Sequence, residues 1–340
     1  MENRNQTQKS KIKLIATVAV LMVAAYVGFK KIQEQTESAP DHVVAVTQII
    51  QHDSLDKIRK GILDELAAQK IRHKLVYENA QGNIAIASQI ATKFASQKPD
   101  VIVAITTPSA QAAYSEASKT QIPVVYGAVS DPLSAKLVSA DNQAKQGVTG
   151  VSDLPPIADQ VAFISKILEY NGGKKHYTVG VLYNSGEANS VAMLQQFRES
   201  AAKYNINVVE AVALRSSEVL TAAKSLVGKA DLIYIPNDNT VISSINSIIQ
   251  LCIAERLPIV CSDPESVEKG CLGAVAIDQY LVGRQTGEMV ARVLKGEPIV
   301  NIQPQQAHDI RMTLNLDSAK RMGLKIPKEL VQKAHYTIHH

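Results

Sequence analysis

Two patterns of apolar residues follow each other along the chain from His42 onward. Val101–Ile105 is apolar without alternation, which is typical of a parallel strand covered on both faces. Leu55–Gln69 carries apolar residues at helical spacing, which predicts an amphipathic helix. The strand–helix order runs to about residue 153 and then starts again. Two consecutive sets of such units predict an α/β fold with two doubly wound parallel-sheet lobes.

The first 40 residues follow a different pattern. Basic residues precede the apolar run Leu14–Phe29, and Lys30 and Lys31 follow it. The run is short for a full membrane span but fits a signal-peptide core or a signal anchor. The basic residues before it favour a cytoplasmic N-terminus and an exported remainder. No cysteine precedes Cys252, so a lipid-modified N-terminal cysteine is excluded.

We therefore expect an uncleaved N-terminal helix that anchors an extracytoplasmic, periplasmic protein to the inner membrane. A cleaved signal would instead release a secreted protein, and no clear cleavage site follows the apolar run.

Composition limits the choice of function further. Apolar residues make up 46% and charged residues 20%, as in globular proteins. Much of the net charge of +4 lies at the N-terminus, so the sequence predicts no nucleic-acid partner. The spacing of Cys252, Cys261 and Cys271 fits neither a zinc site nor a redox pair, and we expect small buried apolar side chains there. An odd count leaves at least one thiol free in an oxidising compartment.

Polar residues cluster where the predicted strands end. In open parallel sheets, ligands bind beyond the carboxyl ends of the strands. Several clusters lead directly into helices, whose N–H groups and dipole can hold a carboxylate. The same residue types also cap helices in any α/β protein, so both interpretations stay open for any one loop. Six loops at corresponding strand ends favour a ligand cleft. They are Thr47–Gln48, Thr106–Ser109, Ser130–Pro132, Asn184–Glu187, Pro236–Thr240 and Ser262–Pro264.

Signatures of catalysis are missing from the sequence. It contains no Gly-x-Gly-x-x-Gly, no Walker-type loop, no Gly-x-Ser-x-Gly and no His-Glu-x-x-His. No nucleophile can be assigned to a neighbouring base. The sequence therefore predicts neither an enzyme nor a bound metal or cofactor.

Longer motifs in both halves of the chain resemble one family. Examples are Thr107–Ala112, Ala128–Pro132, Val148–Asp153, Gly180–Ser190 and Asp278–Gly287. They are similar to the ABC-transporter substrate-binding family that includes tryptophan- and tyrosine-binding proteins, within the type I periplasmic binding-protein superfamily. The resemblance covers roughly residues 43–330. It implies three chain crossings that form a hinge, and lobes that close on a ligand.

The N-terminal pattern and the resemblance together suggest a domain organisation. The crossings are expected near Gly150–Asp153, Ala276–Gln279 and His308–Thr313. The expected parts are a short basic cytoplasmic N-terminus (1–13), a signal anchor or transmembrane helix (14–29), a linker (30–41), a first lobe (42–151 with 279–307), a second lobe (152–278 with 308–332) and a tail (333–340).

The ligand implied by the resemblance is an amino acid, with Trp, Tyr or Phe favoured. A zwitterion needs donors for its carboxylate and an acidic side chain for its ammonium. We assign the carboxylate to the first lobe, where the expected groups are Thr107, Ser109, the backbone of Ala110 and Ser130. For the ammonium we expect Asp238 or Asp263, with Asp153 and Asp278 as candidates at the hinge.

The other candidate residues shape the cleft. We expect Asn184, Glu187 and Ser190 to form the opposite wall and Gln48 to contact the ligand from the first strand end. Asp131 and Asn239 complete the set, as members of the polar loops. Tyr126 and Tyr183 are placed to stack on a ring. The chain has no Trp and four Phe, so a non-aromatic amino acid or another small polar solute stays open.

Two functions remain for such a protein. The first is a transport receptor that delivers its ligand to the permease subunits of an ABC importer. The second is a membrane-anchored ligand sensor that works with a separate signalling partner. A repressor of the lactose type would need an N-terminal helix-turn-helix, and the apolar run occupies that position.

Overall fold

The computed structural model describes Met22 and residues 40–139, 143 and 145–339. The chain divides into two compact units, Met1–Asp41 and His42–His340. The predicted signal anchor falls in the first unit and, apart from Met22, lies outside the described residues. Among the helices that are described, none has the length and apolar character needed to cross a bilayer.

Within the described residues, thirteen strands form the two sheets of the second unit. They are β1 His42–Gln48, β2 His73–Asn79, β3 Val101–Ile105, β4 Val124–Gly127, β5 Val148–Ser152, β6 Tyr177–Tyr183, β7 Ile206–Val212, β8 Leu232–Ile235, β9 Ile259–Cys261, β10 Gly273–Ile277, β11 Gln305–Gln306, β12 Ile310–Asn315 and β13 Tyr336–Ile338.

Helices cover the sheets. They are α1 Asp53–Ala68, α2 Ile84–Gln97, α3 Thr107–Ala117, α4 Ile157–Gly172, α5 Ala188–Ala202, α6 Val219–Lys224, α7 Asn239–Ile242, α8 Ile245–Ala254, α9 Glu265–Lys269, α10 Gln279–Leu294, α11 Leu316–Arg321 and α12 Lys328–Lys333. Short 3₁₀ turns occur at Ser216–Glu218 and Ile299–Asn301.

Each sheet belongs to one lobe. The first has the order β11-β5-β4-β3-β1-β2 and is parallel throughout, with Gln48 opposite both Asn79 and Ile105. The second has the order β13-β12-β10-β9-β8-β6-β7, and of its described pairings only that of β12 with β10 is antiparallel. All five residues of β3 are buried, as its unbroken apolar pattern predicts. The predicted pair of doubly wound lobes is confirmed.

Three crossings join the lobes. The chain passes from β5 to α4 after Ser152, from β10 to α10 at Asp278, and from β11 to β12 through Ala307–Asp309. The crossings expected near Gly150–Asp153, Ala276–Gln279 and His308–Thr313 overlap these segments, and the division of the chain into lobes at the expected bounds stays a prediction. The last strand, β13, pairs with β12 and lies within the segment that the sequence suggested as a tail.

Two helices of the first lobe pack unusually closely. Gly61 in α1 faces Gly283 in α10, and a Cβ atom on Gly283 would lie 2.1 Å from the carbonyl oxygen of Ile58. Only glycine permits this approach, because any side chain would overlap the facing backbone. The contact fixes α10, which follows directly from the hinge, against the helix that begins at the cleft.

The cysteines of the second lobe differ from the sequence-based expectation. Cys261 at the end of β9 and Cys271 before β10 form a disulfide, whereas both were expected to be reduced apolar side chains. Their separation of ten residues had matched no known site type, and only the fold shows that adjacent strands bring the two together. Cys252 in α8 is free and buried, as the odd count required. The disulfide closes a loop that carries Asp263 and α9.

Candidate ligand-binding site

A cavity lies between the lobes, beyond the carboxyl ends of the strands of both sheets. Its volume in this closed arrangement is about 40 Å³, which is well below the range of about 300–1,000 Å³ typical of small-molecule sites, so the lobes must separate slightly to admit a ligand. Its lining comes from both lobes and the hinge: His52, Ser54, Leu55, Thr106, Thr107, Ala128, Ser130, Asp153, Asn189, Asn237, Asp238, Asn239, Ile242, Asp263 and Gln279.

The first-lobe wall is formed by hydroxyl groups at the start of α3. Thr106 and Thr107 are buried, and neither side-chain hydroxyl has a hydrogen-bond partner within the described part of the chain. Thr106 has a φ of +78°, a conformation that is rare for a β-branched residue. Strain of this kind persists where the surrounding fold imposes it, often at binding sites. The wall therefore offers unused donors beside the positive end of a helix dipole.

Ser109 and Ala110 continue this helix behind the cavity lining. Both are completely buried, and the hydroxyl of Ser109 also lacks a partner among the described residues. Ser130, from the loop after β4, lines the cavity directly. Of the four groups expected to hold a carboxylate, the structure thus places Thr107 and Ser130 at the cavity and the other two in the first turn of α3, outside the lining.

Asp238 forms the centre of the second-lobe wall. It is completely buried, and its carboxylate accepts hydrogen bonds from the backbone N–H groups of Asn184 at 2.6 Å and Val241 at 2.8 Å. Burial raises the pKa of Asp238 to about 8, and the nearby Glu187 carboxylate adds to this effect. A cationic partner would stabilise the ionised form of this buried acid, because an adjacent positive charge lowers the raised pKa of the carboxyl.

Glu187 lies behind Asp238 and has a different role. Its two oxygens accept from the backbone N–H groups of Asn239 at 3.2 Å and Thr240 at 3.0 Å, and from both of those side chains. The carboxylate thereby satisfies the first turn of α7. Asn184 also supports this layer, since its amide donates to the Thr240 hydroxyl at 2.8 Å. Glu187 and Asn184 hold this wall in place, but neither lines the cavity.

Asp153 marks the meeting point of the lobes and the hinge. Its carboxylate accepts from Ser130 at 3.0 Å, from Asn237 at 3.3 Å and from Gln279 at 3.4 Å. These three donors belong to the first lobe, the second lobe and the start of α10. Burial raises the pKa of Asp153, and the hydrogen bonds from Ser130 and Gln279 oppose that shift. The residue is therefore both a cavity wall and a connector between the lobes.

Further contacts join the lobes directly across the cleft. Ser54 in α1 donates a hydrogen bond to Asp263, which also accepts from the backbone N–H of Ser266 at 2.9 Å. Two ion pairs lie beside it. Lys57 pairs with the buried Glu265 at 3.0 Å, and Asp53 pairs with Lys269 at 3.0 Å. The start of α1 thus contacts the disulfide-closed loop, and the lobes are closed on each other.

The remaining candidates lie away from the cavity. Gln48 donates to the carbonyl of Ile50 and accepts from Arg59, so it braces the first strand end. Asp278 caps α10 and pairs with Arg311 at 2.9 Å in a separate interlobe groove.

Three more candidates also lie outside the lining. Tyr126 is completely buried, and together with Asp131 it lines a cavity on the far side of Ser130. Ser190 is buried near Asp238. Six candidates do line the central cavity: Thr107, Ser130, Asp153, Asp238, Asn239 and Asp263.

Sequence reasoning did not name six polar residues of the lining as ligand contacts: His52, Ser54, Thr106, Asn189, Asn237 and Gln279. Asn237 lies in one of the polar loops, Gln279 in a motif of the family resemblance, and Asn189 in the first turn of α5. His52 follows the first strand by four positions, and a lone histidine at such a position does not by itself indicate a binding site. Asn189 adds an amide oxygen with no partner among the described residues.

Comparisons of the sequence and of the fold with known proteins point to one family. A family model described as ABC transporter substrate binding protein matches residues 43–338. A tyrosine-binding protein of Clostridioides difficile is 34% identical over 296 residues, covering 86% of this chain and 84% of that protein.

Two solved structures are similar to the chain in different degrees. The ABC domain of Streptococcus pneumoniae in complex with L-Trp is 30% identical, with a TM-score of 0.81 over 87% of this chain and 100% of that one. A ligand-free, open substrate-binding protein with adhesive properties from Clostridium difficile is 32% identical, with a TM-score of 0.62 over 87% and 98%.

These findings settle the class of protein. The fold is that of the type I periplasmic binding proteins, as the sequence predicted. Members of the matched family bind a solute for an ABC transporter and are not enzymes. The chain belongs to the ABC transporter substrate-binding protein family.

Proposed function

We propose that the protein binds one aromatic L-amino acid between its lobes and delivers it to the permease of an ABC importer. The proposal rests on two kinds of side chain that face each other across the cavity. Unpartnered hydroxyls of Thr106 and Thr107 lie at a helix N-terminus on one wall, and the buried Asp238 carboxyl lies on the other. The hydroxyl groups suit the α-carboxylate of an amino acid, and the Asp238 carboxyl suits its α-ammonium.

The choice of an amino acid over a sugar rests on charge. A sugar offers hydroxyl groups but no cation, so it would leave Asp238 buried without a charged partner. An ammonium supplies that partner, and the Asn189 amide oxygen is available as a second acceptor. The names of two relatives, one tyrosine-binding and one crystallised with L-Trp, support the aromatic class. Leu55, Ala128 and Ile242 supply apolar surface for a ring.

The closed arrangement of the lobes supports binding by hinge closure. The two solved relatives are almost equally distant in sequence, at 30% and 32% identity, and cover the same share of this chain. The TM-score is nevertheless 0.81 to the L-Trp complex and 0.62 to the open, ligand-free protein. Divergence of sequence does not explain this gap, whereas a difference in lobe angle does.

The cellular location is part of the proposal. An extracytoplasmic protein held to the membrane by Leu14–Phe29 would release its ligand to a permease in the same membrane. Two features favour this location: the basic residues before the apolar run and the disulfide of the second lobe, since disulfides persist in oxidising compartments.

A thermal-shift screen of the full chain against the twenty amino acids tests the proposal. We expect stabilisation by Trp, Tyr or Phe and little by the others, because binding to the folded state raises Tm. Asp238→Asn should abolish most of the shift. Asp131→Asn is the matched control, because that carboxylate also follows a strand but lies outside the central cavity. A chain that no amino acid stabilises would refute the ligand assignment.

A further inference from the structure

His52 lines the central cavity, and its side chain does not cap the helix that follows it. It precedes α1 in an extended conformation, with φ of −158° and ψ of 164°, and its side chain makes no capping hydrogen bond to that helix. The ring instead lines the central cavity, close in sequence to Leu55, which lines it too. A residue at this position in a helix usually satisfies free backbone N–H groups, and His52 does not.

Both ring nitrogens of His52 are shielded from solvent and make no well-formed hydrogen bond within the described ranges. Burial lowers the pKa of His52; the Asp263 and Asp56 carboxylates and a close contact with the Asn239 side chain oppose this shift, and Lys269 reinforces it. The imidazole is therefore neutral near pH 7, with one N–H donor and one acceptor nitrogen. A buried pair of unused polar groups is costly unless a ligand satisfies it.

The main chain of the ligand does not need His52. If the proposed function is right, the ligand carboxylate uses Thr106 and Thr107, and its ammonium uses Asp238 and the Asn189 amide oxygen. These assignments account for the other unpartnered polar groups of the lining. The imidazole is then left for the side chain of the ligand, between apolar surface from Leu55 and the second lobe.

We infer that His52 recognises an O–H or N–H group on the aromatic side chain of the ligand, so that the site favours tyrosine or tryptophan over phenylalanine. The hydroxyl of tyrosine can donate to the acceptor nitrogen of the imidazole or accept from its N–H. The indole N–H of tryptophan can donate to the acceptor nitrogen. Phenylalanine offers neither and would leave both ring nitrogens buried without a partner. A site built around a hydrogen bond rejects the analogue that lacks it far more strongly than a purely apolar site would.

The test is isothermal titration of Tyr, Trp and Phe into the full chain and two variants. The wild type should bind its better ligand, Tyr or Trp, at least about tenfold more tightly than Phe. His52→Leu removes both nitrogens and should bring that ratio close to one, without weakening the binding of Phe. His52→Gln keeps one donor and one acceptor and should retain part of the discrimination.

The outcomes separate this inference from the proposed function. If His52→Leu, with an unchanged thermal unfolding profile, weakens all three ligands equally, then His52 only shapes the cavity and the inference is wrong. If His52→Leu does not fold, a folded His52→Gln that weakens the three ligands equally refutes the inference in the same way. If the wild type binds none of the three, the proposed function itself fails, and the inference fails with it.

Discussion

Asp238 should release a proton when the ligand binds. In the ligand-free protein its pKa is raised to about 8, chiefly by burial and then by Glu187. At pH 7 a group with this pKa is about 90% protonated. A ligand ammonium beside the carboxyl favours the ionised form, as opposite charges do at contact distance. Each ligand bound at pH 7 should therefore displace roughly half a proton or more into the buffer.

The same reasoning sets the pH dependence of affinity and stability. Between pH 6 and 7 the ligand affinity should rise with pH, approaching about tenfold per pH unit if the carboxyl ionises fully in the complex. Because the folded pKa of Asp238 is raised above its ordinary value near 4, the ligand-free folded state binds more protons than the unfolded state between about pH 4 and 8. The contribution of this group to stability is therefore lost as pH rises through that window. The increase in Tm caused by ligand should be larger at pH 8 than at pH 6.

Titration calorimetry in buffers with different ionisation enthalpies measures the released proton directly. Asp238→Asn should abolish the release, since an amide does not titrate. Asp153 also has a raised pKa and lines the cavity, so its variant Asp153→Asn distinguishes the two acids. Tight binding with no proton release at pH 7, or unchanged release from Asp238→Asn, would refute the role of Asp238 as the ammonium partner.

Three further changes test the closure and the framework of the lobes. Lys57→Met removes the interlobe ion pair with a buried carboxylate and should weaken ligand binding about twofold to tenfold in a titration. Lys60→Met breaks an ion pair within α1 and a contact with the Tyr280 ring of α10, both within the first lobe, and should leave ligand binding unchanged. Gly283→Ala should lower the free energy of unfolding in urea by about 1–3 kcal/mol or more, because its Cβ meets backbone of the facing helix, and an unaltered value would contradict the close packing. Reduction of the Cys261–Cys271 disulfide should cost about 2–4 kcal/mol and lower Tm, and a Tm insensitive to reductant would show that the bond does not stabilise the lobe.

The fold was largely predictable because its signals are local. Each buried parallel strand, such as Val101–Ile105, needs an unbroken apolar run, and each covering helix needs one apolar face. Strand ends must then carry the polar residues of any cleft, which is why Thr107, Ser130 and Asp238 could be named from the sequence. The disulfide could not be named, because it depends on the pairing of β9 with β10 and not on local spacing.

The site was only partly predictable for the same reason. Asp278 and Glu187 carry the same charge as Asp238 and also follow strands, yet of the three only Asp238 lines the central cavity. Which carboxylate faces the ligand depends on side-chain direction and on the neighbours that satisfy it, and a sequence does not show either. His52 escaped notice because its significance lies in partners it lacks, which become visible only in the folded chain.

A structure of the protein crystallised with L-tyrosine or L-tryptophan tests the central claim most directly. We expect one molecule in the central cavity, with its carboxylate against Thr106 and Thr107 and its ammonium against Asp238. A ligand bound outside the interlobe cavity, or one whose ammonium lies away from Asp238, would contradict the account.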